Sequence, residues 1–170
     1  VHLTGVNSIN WGRIVAQIVY YFKAAIAIGA PHRKVTFCVP TGNFGDIFAG
    51  YAAKQMGLPV EKLIIATNSN DILRRAVKFG RYDKRGVEQT SSPSMDIEVS
   101  SNFERLIFEV LDRDGEKTAS LFASLDQSGG FSIPEFALDK IRSDFGTGMS
   151  DESSTGTMIG DVLAHSGYLI

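Results

Sequence analysis

The chain has 170 residues, 44% of them hydrophobic, and a formal net charge of −2. That length allows one sizeable core, and a near-balanced charge without a basic stripe argues against nucleic acid or an anionic membrane surface as the main partner. No run approaches the ~20 apolar residues of a membrane span, nothing at the N-terminus reads as a signal peptide, and the single Cys38 has no intrachain disulfide partner, so a reducing, cytoplasmic setting is expected.

The chain opens on Val1-His2-Leu3-Thr4-Gly5-Val6 without an initiator methionine. It closes on Gly167-Tyr168-Leu169-Ile170, an apolar run that reads like a strand entering a core. Chain ends are usually polar and frayed, so the expectation is a fragment cut at both ends. Asn7-Ser8-Ile9-Asn10 supplies N-cap residues for a helix running to Gly29, with Ile14, Ile18, Tyr21, Ala25 and Ile28 on one apolar face. Pro31 closes it. Val35–Val39 reads as a buried parallel strand, with Cys38 packed as a small apolar residue. A helix over Asp46–Met56 stops at Gly57, and Leu63–Thr67 is a second buried strand. Asn70 and Asp71 are candidate caps for a helix through Arg74, Arg75 and Val77 to Gly80.

This alternation of helix and strand is the βαβ rhythm of an open α/β sheet. Residues 80–93 read as a polar surface loop. Ser100-Ser101-Asn102 caps a helix carrying Phe103, Leu106, Ile107, Val110 and Leu111, and Asp112-Arg113-Asp114-Gly115 is a turn into a helix over Glu116–Leu125. Residues 131–141, with Pro134 inside, are ambiguous. Asp151 starts a last helix holding Met158, Ile159, Val162 and Leu163. The expected fold class is therefore an open, mainly parallel, twisted α/β sheet with flanking helices over residues 1–98, followed by a mostly helical segment over 99–170.

The stretch that carries chemistry is Pro40-Thr41-Gly42-Asn43-Phe44-Gly45-Asp46, between a buried strand and a helix. Glycines there let backbone N–H groups approach an anion, and the helix adds its unpaired N–H groups and dipole. In an open sheet, ligands sit at this end of the strands. Two glycines between strand and helix also fit a plain tight turn, and the spacing matches neither a dinucleotide nor a nucleoside-triphosphate fingerprint. Upstream, Asn7, Ser8 and Arg13 divide the same way. They are helix caps and a solvated charge, or a second anion site in which the planar guanidinium of Arg13 matches phosphate oxygens.

Asn7-Ser8-Ile9-Asn10-Trp11 with Arg13, Tyr20-Tyr21-Phe22, and Val39 through Asp46 together resemble the threonine synthase family. So do Ser92-Pro93-Ser94-Met95-Asp96-Ile97, Ser101-Asn102-Phe103-Glu104-Arg105-Leu106 and, more loosely, Ser166–Ile170. The combination spans nearly the whole chain and is more specific than any of its parts. The resemblance implies a C-terminal piece of a pyridoxal-phosphate-dependent lyase of fold type II, related to the tryptophan synthase β chain. Such enzymes convert O-phospho-L-homoserine and water to L-threonine and phosphate. It implies that Gly42, Asn43, Phe44 and Gly45, with Thr41 adjacent, cradle the cofactor phosphate, and that Ser8, Arg13 and the Asn43 side chain hold the substrate phosphate.

The family's Schiff-base lysine, in a motif ending Phe-Lys-Asp, lies upstream of this segment. Its Asp-Pro-His-Thr-Ala segment, near the pyridine nitrogen, would follow directly after Ile170. Lys23, Lys54 and Lys78 read as helix surface charges and Lys34, Lys62, Lys84, Lys117 and Lys140 as edge or loop charges, so no catalytic residue is expected in this chain and the piece alone is expected to be inactive. Its partners are then the phosphorylated substrate and the missing N-terminal part of its own chain. The rival readings are another β-family enzyme, a dehydratase or cysteine synthase, and a non-catalytic phosphate- or pyridoxal-phosphate-binding module. No metal is expected: Asp126–Glu135 departs from a calcium loop at its sixth and twelfth positions, and His2, His32 and His165 lack ligand spacing.

Overall fold

A computed structural model describes residues 7–167; His2 and the apolar run over 168–170 lie outside them. Asn10 opens α1 (Trp11–Ala27), its side chain accepting from the Gly12 N–H at 2.8 Å. Ile14, Tyr21 and Ala25 are buried, whereas Ile28 lies just past the helix end and is exposed. β1 (Val35–Pro40) follows, then α2 (Gly45–Gln55), then β2 (Val60–Thr67), and the two strands pair in parallel with Phe37 opposite Leu63. α3 (Ile72–Phe79) leaves the carboxyl end of β2 and ends at Gly80 in the left-handed conformation.

β1 is less buried than its apolar sequence suggests. Val35 and Val39 enter the core, while Thr36, Cys38 and Pro40 on the other face are exposed. The expected burial of Cys38 is therefore corrected. β1 stands at the edge of its sheet among the described residues, so it has the half-covered alternation of an edge rather than the two covered faces of a central strand.

The expected surface loop after Gly80 hides a strand. β3 (Arg81–Asp83) carries Tyr82, which is fully buried. The Tyr82 ring stacks on Phe103 at 4.9 Å and meets Phe131 at 5.2 Å. α4 (Phe103–Val110) and α5 (Gly115–Ser128) form as read, α5 capped by Asp114, whose side chain accepts from the Lys117 N–H at 2.9 Å. The ambiguous stretch resolves into β4 (Gly130–Ser132), antiparallel to β3, and α6 (Glu135–Asp144), which starts directly after Pro134.

β5 (Phe145–Met149) then joins β2 in parallel, giving a three-stranded sheet in the order β1-β2-β5. The segment from residue 99 is thus mostly helical but also returns a strand to the sheet. α7 (Glu152–Ser166) closes the described chain with none of its residues buried. Asp71 stands at the N-cap of α3, yet its carboxylate is turned away from the backbone to Arg74 at 3.0 Å and Arg75 at 2.8 Å. Ionic partners outcompete the cap there because Arg75 is itself buried and has to be paired. No helix of the described residues is long and apolar enough to cross a membrane.

Candidate active site

The site begins where β1 runs out. The Thr41 N–H extends the parallel ladder by one bond to the Ala66 carbonyl at 2.8 Å, and its hydroxyl donates back to the Val39 carbonyl at 2.6 Å. The chain then turns through Gly42 and Asn43 into α2. A Cβ on Gly42 would sit 2.7 Å from the Ser94 carbonyl oxygen, so only glycine lets the two segments come this close.

Phe44 stands at the N-cap of α2 with φ 64° and makes no side-chain cap. A helix cannot satisfy its own first-turn N–H groups. Phe44 offers those of α2 no capping side chain, and they stand at the positive end of the helix, an arrangement suited to an anion.

Facing this turn are the start of α1 and a 3-10 turn over Pro93–Met95. Ser8, Arg13 and Gln17 from the first, and Ser94 from the second, line with Thr41, Gly42, Asn43, Phe44, Gly45 and Asp46 one cavity of about 180 Å³. The structure thus brings together all the site residues expected from the sequence: Ser8, Arg13, Thr41, Gly42, Asn43, Phe44 and Gly45. Gln17 follows Arg13 by one helical turn, a spacing that places it on the same face. Ser94 belongs to the Ser92–Ile97 stretch that carries the family resemblance, with no site role expected of it. It is held over the turn by Asp96, whose carboxylate accepts from Asn68 at 2.7 Å, Asn70 at 3.0 Å, the Thr90 hydroxyl at 2.7 Å and the Thr90 N–H at 2.8 Å.

The wall of this cavity is rich in donors. Backbone N–H groups, the Ser8 hydroxyl, the Asn43 amide and the Arg13 guanidinium are what an anion with several oxygens requires. Asp46 is the carboxylate among its lining residues, and it also flanks Tyr21. Burial first, and the Asp46 charge second, push the Tyr21 phenol well up, so it stays protonated and can donate to that carboxylate. Among the described residues, no lysine lines the cavity. Lys117 and Lys140, expected as edge or loop charges, lie on α5 and α6, and Lys62 is committed to the Arg142 and Ser143 carbonyls at 2.8 Å each.

No protein-family model matches the chain. It is 54% identical to the threonine synthase of Pseudomonas aeruginosa over 99% of its length, and 45% identical to that of Corynebacterium glutamicum over 97%. Among solved structures it superposes on a pyridoxal-phosphate-bound threonine synthase from Brucella melitensis with a TM-score of 0.96 at 60% identity, covering 99% of this chain. The yeast threonine synthase matches with a TM-score of 0.91 at 41% identity over 97% of the chain. The chain belongs to the threonine synthase family.

It spans 36% of the length of each of these relatives. The fold is accordingly that of part of a fold type II enzyme, in which the parallel sheet and its flanking helices carry the described cavity. The residues present fit the phosphate end of a cofactor. The turn approaches too closely at Gly42 for a side chain, the helix start is uncapped, and the cavity wall offers donors.

Proposed function

We propose that the protein containing this chain is a pyridoxal-phosphate-dependent threonine synthase, a lyase acting on O-phospho-L-homoserine and water to give L-threonine and phosphate in the cytoplasm. The observation that carries this reading is the meeting of two donor-bearing segments, Ser8–Arg13 and Thr41–Gly45, on a single cavity. One phosphate-binding turn would suffice for a cofactor. A second set of donors with its own arginine fits a substrate that carries a phosphate of its own.

In this reading Gly42, Phe44, Gly45 and the backbone of Asn43, seated by Thr41, hold the cofactor phosphate at the start of α2. Bound pyridoxal phosphate supplies the electron sink that the bond changes at the substrate require. Ser8, Arg13 and the Asn43 amide hold the substrate phosphate. The charge on that group grows as its C–O bond breaks, and a guanidinium already in place stabilises the departing dianion without reorganising at that moment. Specificity for a phosphorylated substrate follows from the same residues, since a hydroxyl in place of the phosphate would leave Arg13 unpartnered. The lysine that carries the cofactor comes from the part of the protein preceding this chain, which is therefore a partner the described residues need.

The test is phosphate release from O-phospho-L-homoserine with pyridoxal phosphate, by the product of the complete reading frame and by residues 1–170 alone. Turnover is expected in the complete product and not in the shorter one. Turnover in the shorter one would mean that a lysine of this chain does the chemistry, and no turnover in either would return the site to a binding role. In the complete protein, Arg13→Ala is expected to raise KM by roughly 100-fold, the scale of a lost charge-assisted pair. Cofactor absorbance should persist. Loss of that absorbance with KM unchanged would exchange the two phosphate assignments.

A further inference from the structure

Directly behind the cavity lies Ser100-Ser101-Asn102, which the sequence presents as the cap of α4. Asn102 does occupy the N-cap position, but its side chain caps nothing. It is fully buried. Its amide nitrogen donates to two carbonyls at 2.9 Å, those of Ser8 and Asn43, and its own backbone N–H donates to the Asn43 carbonyl at 3.0 Å. Its amide oxygen accepts from Arg105 Nε at 3.0 Å, and the same guanidinium donates to the Ile9 carbonyl at 2.9 Å. One amide thus joins the start of α1 to the turn before α2.

Its two neighbours act on the same turn. The Ser100 hydroxyl donates to the Gly42 carbonyl at 2.8 Å, and the Ser101 hydroxyl donates to Asn43 Oδ1 at 3.3 Å. The second bond faces the oxygen of the Asn43 amide toward Ser101. With its oxygen taken by Ser101, its NH2 group is the half left to donate toward an anion. Gly45 shows how closely the parts meet, since a Cβ there would lie 3.4 Å from both Asn102 Nδ2 and the Ser8 carbonyl oxygen.

We infer that Ser101 and Asn102 are positioning residues. Asn102 sets the spacing between the segment carrying Ser8 and Arg13 and the segment carrying Asn43, and Ser101 sets which way the Asn43 amide points. Neither lines the cavity. The inference rests on the functional reading above, because it concerns how two anion-holding segments are kept in register. A mis-set spacing acts on the ligand that bridges both segments, which is the substrate phosphate, more than on the cofactor phosphate held within one turn.

The experiment uses the complete protein with Asn102→Ala and Ser101→Ala, and reads substrate KM and kcat, cofactor absorbance, and inorganic phosphate affinity by calorimetry. Each hydrogen bond to be removed is worth ~0.5–1.5 kcal/mol, so KM and the phosphate Kd are expected to rise about threefold for Ser101→Ala and about tenfold for Asn102→Ala, with a smaller loss in kcat. Ser101→Thr, which keeps the hydroxyl, should restore the wild-type KM. Unchanged KM and phosphate Kd in both variants, with only a lowered melting temperature, would reduce these residues to packing and overturn the inference. Should Asn102→Ala not fold, the half-buried Ser101 decides through its alanine and threonine pair. If the wild-type protein itself does not turn over the substrate, the functional reading fails separately, and the phosphate Kd of the same variants still decides whether the two segments are braced.

Discussion

Phe44 holds a left-handed backbone conformation that a β-carbon disfavours, at a cost on the order of 1 kcal/mol. The family of structural reasons for keeping it is in its ring. It is 1% exposed, edge-on to Phe103 at 5.4 Å and near Phe145 at 5.7 Å, so the residue that turns the chain at the cavity also plugs the core beneath it. Strain at the turn is offset by burial below it. Phe44→Ala is expected to cost ~3–5 kcal/mol in chemical denaturation, as for other buried aromatic truncations. Phe44→Gly should be the milder change by up to ~1 kcal/mol, because glycine accepts the positive φ. Alanine proving the more stable of the two would show that the backbone there relaxes once the ring is gone. The turn was legible in the sequence, since Gly42 and Gly45 between strand and helix announce it. The role of Asn102 was not, because Ser and Asn before a helix look like caps and the bonds that bury this amide reach 94 and 59 residues along the chain.

At the scale of elements, the segment over residues 84–98 is fastened to the carboxyl end of β2 by Asp96 rather than by regular structure. Its carboxylate is held below the ordinary carboxylate range, first by the Thr90 hydroxyl, then by the Thr90 N–H, with Asn68 and Asn70 adding to it. The sign follows from linkage. A folded-state pKa below the unfolded 3.8 makes the contribution complete above that value and removes it as the pH falls through the lower folded one. The segment is therefore expected to loosen only below about pH 4, with amide exchange rising at Thr90 before it rises in β2. Asp96→Asn should release it at neutral pH and weaken phosphate binding through Ser94. Protection at Thr90 that survives in Asp96→Asn would show that another contact holds the segment.

The element reading itself succeeded where the pattern was local. α1, β1, α2 and β2 follow from apolar spacing, caps and glycine stops. β5 escaped because Phe145-Gly146-Thr147-Gly148-Met149 has two glycines in five residues, and its strand character comes from pairing with β2 across some eighty positions. Tyr82 escaped for the same reason, its neighbours being polar and its burial supplied by Phe103 and Phe131.

At the scale of the molecule, α1 carries more apolar surface than the described chain covers. Ile14, Tyr21 and Ala25 pack inward, while Trp11, Val15, Val19 and Ile26 form an adjacent stripe at helical spacing and are roughly half exposed or more. Together the two stripes give a helix apolar over much of its circumference, the pattern of an element packed on more than one side. Contiguous exposed apolar surface of this kind marks an interface, and the chain spans 36% of the length of its relatives, which leaves ample polypeptide to cover it. The occupant proposed is the preceding part of the same protein, which would also bring the cofactor-bearing lysine toward the cavity at the start of α1. Residues 1–170 alone are then expected to self-associate as concentration rises, and light scattering coupled to size exclusion would record it. Val15→Glu with Val19→Glu should suppress that association in the short chain and, in the complete protein, impair cofactor retention without touching any residue that lines the cavity. A short chain that stays monomeric, or a complete protein indifferent to both charges, would place this face of α1 in solvent and overturn the proposed docking.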